Sequence, residues 1–79
     1  MPTFKVTMQF HGAAGSGEDR YTCATRQEAD AKFTQCRDFI IASFEGDSLA
    51  EIVDETDFFG IIDHNEGAWA KVFITANNE

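Results

Sequence analysis

Two histidines, two cysteines and fourteen acidic residues are the side chains of this 79-residue chain with the most chemistry to offer. His11 and His64 stand far apart, and no His-x-x-x-His or Cys-x-x-Cys pair supplies preformed metal-ligand geometry. Surface histidines and no bound metal are therefore expected. A nucleophilic cysteine needs a nearby histidine and a depressed thiol pKa, and the contexts of Cys23 and Cys36 suggest neither. Both read as small buried hydrophobes, one on a strand and one on a helix stripe; a disulfide between them is geometrically possible but unneeded. Gly12, Gly15 and Gly17 lack the Gly-Lys-Ser/Thr of a phosphate loop and lead into a strand, not a helix. Asp63-His64-Asn65-Glu66-Gly67 has its glycine one position too early for a calcium loop, and no glutamate closes it. It reads as a hairpin turn. Acid pairs such as Asp54 and Glu55 could do acid–base work only if desolvated, and a chain this short is expected to offer no cleft for that. No catalytic residue and no cofactor are expected.

The acids are more informative as a distribution. Residues 1–37 are nearly neutral, whereas Asp38 to Ala70 holds nine acids and no lysine or arginine, so the net charge of −8 resides in the second half. That balance repels phosphate backbones and anionic membranes, which argues against direct nucleic-acid or membrane binding. The same stretch contains Leu49, Ile52, Val53, Phe58, Phe59, Ile61 and Ile62. An acidic tail would lack those apolar residues, so this is read as a folded acidic surface. Such a surface serves either solubility or an electropositive partner.

The elements that position these groups follow from periodicity. Phe4, Val6, Met8 and Phe10 alternate with polar neighbours, the period of a half-buried strand. The glycine-rich Gly12–Asp19 segment reads as a long mobile loop, with a second strand from Arg20 to Ala24. Thr25-Arg26-Gln27-Glu28 is a capping box, and Ala29, Phe33, Cys36, Ile40 and Phe44 continue it as one apolar helical stripe ended by Gly46. A second capping box, Ser48-Leu49-Ala50-Glu51, with Leu49, Ile52, Val53 and Thr56, predicts a short second helix. Phe58–Asp63 and Ala68–Thr75 read as a hairpin, and the polar end from Asn77 as fraying. The expected fold is α+β, β-β-α-(short α)-β-β. It is a single domain over residues 1–79, a four-stranded antiparallel sheet with one long helix on one face.

A single helix layer leaves the other sheet face open. In the last strand Trp69, Lys71 and Phe73 point away from Ala70, Val72 and Ile74, so both faces carry large apolar groups. Either the short helix or a loop covers the excess, or Trp69 and Phe73 form an exposed patch for a protein or a second copy of the chain. No run of 18 apolar residues exists, and Met1 to His11 alternates where a signal peptide would be continuously apolar. A cytoplasmic protein is expected.

By its size, its charge concentrated between Asp38 and Ala70, and its two strands leading into the Thr25-Arg26-Gln27-Glu28-Ala29 helix start, the chain resembles small acidic phage and mobile-element proteins that inhibit host defence. The likeness is especially to the anti-CRISPR proteins. The resemblance implies a non-enzymatic inhibitor that binds a Cas protein or surveillance complex and blocks target DNA binding or nuclease recruitment. Fixed carboxylates spaced like phosphates could occupy a Lys/Arg-lined groove built for nucleic acid. The residues expected to meet such a partner are Glu45, Asp47, Glu51, Asp54, Glu55 and Asp57, together with Trp69 and Phe73, on a monomer or weak homodimer. The alternatives are a housekeeping interaction or dimerisation module and, third, a small enzyme.

Overall fold

The alternating apolar residues at the start of the chain form β1 (Thr3–Gly12), the second strand of a sheet ordered β2-β1-β5-β4-β3. The other elements are β2 (Gly15–Cys23), α1 (Arg26–Ser43), β3 (Glu51–Glu55), β4 (Phe58–Asp63) and β5 (Ala68–Asn77). All strand pairings are antiparallel. The computed structural model describes residues 3–12, 15–46 and 50–77. The fold is thus α+β with one helix on a five-stranded sheet.

The long helix forms where the capping box places it. The Glu28 amide donates to Thr25 Oγ1 at 3.1 Å, satisfying one of the donors that a helix start leaves unpaired. Ala29, Phe33, Cys36 and Ile40 are all buried, and Phe44, the C-cap, packs against their cluster. Gly46 follows at φ +84°, a left-handed conformation suited to glycine after a helix end. The helix packs on β5, β1 and β2. Between the layers Val6, Ile40 and Val72 are the largest fully buried side chains, with Met8, Phe59, Ile61 and Ile74 around them. Cys23 and Cys36 are buried free thiols in this core.

Two sequence expectations are corrected. The short helix does not form, and the sheet has five strands instead of four, because Glu51–Glu55 pairs with β4 as a hairpin across Thr56 and Asp57. Ser48 and Leu49, half of the second capping box, lie outside the described residues. Little more than two helical turns were available there, and a helix that short does not sustain itself. The β-branched pair Ile52-Val53 instead favours a strand, whose Glu51, Val53 and Glu55 complete the backbone hydrogen bonding of β4. The second correction is the Gly12–Asp19 loop. Gly15 already pairs with Gly12 and Gly17 with Phe10, so the strand starts five residues before Arg20. The Phe10 ring lies over Gly17, where a Cβ would meet Phe10 Cζ at 2.5 Å, and this cover replaces the side chain that glycine lacks.

The last hairpin is as the sequence suggested. Asp63 is buried and its Oδ1 accepts from the amides of Asn65 (2.9 Å) and Glu66 (3.3 Å), while Gly67 takes φ +67°. That is an Asx-stabilised turn between β4 and β5.

Candidate interaction surface

Strand register sorts the side chains of the helix-free face into three rows that cross all five strands. The first runs Glu55, Phe58, Phe73, Thr7, Arg20; the second Val53, Gly60, Lys71, Gln9, Glu18; the third Glu51, Ile62, Trp69, His11, Ser16. Phe58, Gly60 and Ile62 therefore lie on the face opposite Phe59, Ile61 and Asp63, and the expected facing of Trp69, Lys71 and Phe73 holds. Among the described residues no helix or loop covers this face: β3 has taken the place of the short helix that might have done so.

The face is partly covered by its own side chains. The Lys71 ammonium lies 5.5 Å from the Trp69 ring centre and 6.0 Å from that of Phe73, placing a cation between the two aromatic rings. Phe58 lies against Gly60, and Trp69 stacks on His11 with centroids 6.2 Å apart. Trp69 and Phe73 are consequently half-buried, while Ile62 stays exposed. Gln9 donates to Glu18 at 2.6 Å, and this bond, aided by Arg20 at 3.0 Å, holds the Glu18 carboxyl below its ordinary pKa.

The acids expected to meet a partner divide among several surfaces. Glu51 and Glu55 share the aromatic face, at its β3 edge. Asp54 is on the helix side of β3, in the row of Phe59 and Val72. Glu45 is exposed just past the helix end, and Asp47 lies outside the described residues. Asp57 is not a free carboxylate. It pairs with Arg26 at the helix start through two hydrogen bonds, one of 3.3 Å from Nη1 to Oδ2, and Arg26 also holds Asp30 at 2.9 Å. The bonding from Arg26 lowers the Asp57 pKa, and the pairing raises that of Arg26. Sequence reasoning missed this link, which joins residues 31 apart.

What unites the remaining acids is β3 itself. All five of its residues are exposed, Ile52 at 60% and Val53 at 46%, and it is the edge of the sheet. Glu51 Oε2 lies 3.2 Å from His64 Nε2. No lysine or arginine is paired with Glu51, Asp54 or Glu55 among the described residues.

A cavity of about 940 Å³ opens between the helix end and the tips of the β1–β2 and β4–β5 hairpins, lined by Met8, Phe10, Phe39, Phe44, Asp63 and Trp69 among others. Asp54 and Glu55 do not line it. His11 and Ser43 do, but the Ser43 hydroxyl donates to the Phe39 carbonyl at 2.9 Å. Among the described residues no group of three His, Cys, Asp or Glu side chains could hold a metal ion, and no helix is long and apolar enough to cross a membrane. No protein-family model, curated protein or solved structure matches the chain.

Proposed function

We propose that this protein is a non-enzymatic inhibitory binding protein of the anti-CRISPR kind, acting in the cytoplasm. Its acidic β3 edge would occupy a Lys/Arg-lined groove of a Cas protein or effector complex and so block target DNA binding or nuclease recruitment. The observation that carries the reading is the set Glu51, Asp54 and Glu55, placed on one short exposed strand with no lysine or arginine partner among the described residues. The sheet fixes the backbone that carries these carboxylates, so only side-chain freedom is lost on meeting guanidinium or ammonium groups, and charge-assisted hydrogen bonds are gained there. Counterions released from the groove would add to affinity and make it steeply salt-dependent. Glu45 extends the same acidic character at the helix end, whereas Asp57 serves the Arg26 link within the fold.

The test is affinity capture with the tagged protein from a lysate containing CRISPR effector complexes, washed at low and high salt. Retention of a Cas subunit at low salt and its loss at high salt supports the reading. No Cas protein at either salt contradicts it. A second reading, a dimerisation module, is favoured by the uncovered row of Ile62 and Trp69 beside Phe58 and Phe73. A dimer in sedimentation that dissociates on Trp69→Ala would support it.

A further inference from the structure

We propose that β3 binds its partner by strand addition: an extended basic segment of another protein pairs antiparallel with Glu51–Glu55 and becomes the sixth strand of the sheet. The proposal rests on the binding function above and adds how the partner is held. An open edge presents unpaired backbone groups, and their direction follows from the ladder. The Asp57 carbonyl accepts from the Ile74 amide at 3.0 Å, which turns the Phe58 backbone toward β3. Glu51, Val53 and Glu55 therefore bond inward to β4, and the N–H and C=O of Ile52 and Asp54 face outward.

The side chains define what can add. On the aromatic face Val53 stands between Glu51 and Glu55; on the helix side Ile52 precedes Asp54. An antiparallel complement reads basic, basic, apolar, apolar, basic, opposite Glu55, Asp54, Val53, Ile52 and Glu51 in turn. In the register centred on Val53 a second copy of β3 is disfavoured by the same rule. Antiparallel self-pairing centred on Val53 sets Glu51 directly across from Glu55 twice, and like charges directly opposite are destabilising. Acids alone would suffice to keep such an edge soluble. Two exposed β-branched residues, one on each face, are a liability that a partner strand would cover.

The probe is a labelled, capped peptide with the core Lys-Arg-Val-Ile-Lys, measured by fluorescence anisotropy and by amide hydrogen exchange of the full chain. The expected result is saturable binding that slows exchange at Ile52 and Asp54. N-methylation of the peptide residues opposite those two should weaken it by about tenfold or more, since it removes the bridging donors but no charge. Ile52→Pro, which takes away one outward N–H and leaves every acid in place, should do the same; should that variant not fold, the methylated peptide stands as the independent test. Equal binding of the methylated or a scrambled peptide would overturn strand addition while leaving an electrostatic surface in place. No binding at low salt would overturn it too. Capture of a Cas subunit by the full protein is read separately, so failure of strand addition and failure of the inhibitory function are told apart.

Discussion

Arg26 decides which acids are available to a partner. By holding Asp57 and Asp30 it ties the start of the helix to the β3–β4 turn and removes one carboxylate from the outward-facing set. Because the folded Asp57 pKa is depressed, its contribution to stability is present above the ordinary carboxyl value of about 3.9 and is lost as pH falls through the lower, folded value. Asp57→Asn should therefore lower the melting temperature at pH 7, with the difference from the parent protein vanishing in acid; an equal difference at both pH values would contradict the pairing. Both ends are well exposed, so the effect should be modest and should shrink with added salt. Within the core, burial raises the Cys36 thiol pKa. Alkylation of Cys23 and Cys36 by iodoacetamide, followed by mass spectrometry, should proceed only as fast as the chain opens, and rapid labelling of the native protein would contradict their burial. Ile40→Ala, which empties a fully buried site between helix and sheet, should cost about 2–5 kcal/mol in denaturant unfolding.

At the scale of elements, stability should grade across the sheet. β1 and β5 are central and covered by the helix, whereas β3 pairs on one side only and buries none of its side chains. Hydrogen exchange of the free protein should accordingly be fastest at the outward amides of Ile52 and Asp54 and slowest at Val6 and Val72; protection of β3 equal to that of β5 would show that something already covers the edge. The helix was legible in the sequence because Ala29, Phe33, Cys36 and Ile40 span enough turns for the period to declare itself. The two faces of β4 and β5 were legible from strict alternation. Glu51–Glu55 was not, since acid-apolar-apolar-acid-acid fits a helical turn as readily as a strand, and five residues are too few for period to decide. The start of β2 was hidden because glycine reads as loop, and what keeps Gly17 in a strand is a phenylalanine seven residues earlier. The acids of the interaction surface were visible as residue types. Their division between faces required the register, and the loss of Asp57 to Arg26 required the fold.

Over the whole molecule the charge layout and the topology coincide. The half of the sequence without lysine or arginine includes the strand that ends the sheet, so the least protected edge is also the most acidic. Lys71 lies between the aromatic rings of β5, two strands from the edge, and Glu51, Asp54 and Glu55 are the acids of β3. Triple reversal of these three to lysine removes the proposed contact without disturbing a core residue, since all three are exposed. The most direct measurement is equilibrium competition between this protein and duplex target DNA for a purified CRISPR effector complex, comparing the parent chain with the Glu51→Lys, Asp54→Lys, Glu55→Lys variant at several salt concentrations. The parent should displace DNA with an apparent affinity that falls steeply with salt, and the variant should be weaker by about a hundredfold or more at low salt. Displacement by the variant as strong as that by the parent would contradict the assignment of binding to the acidic edge.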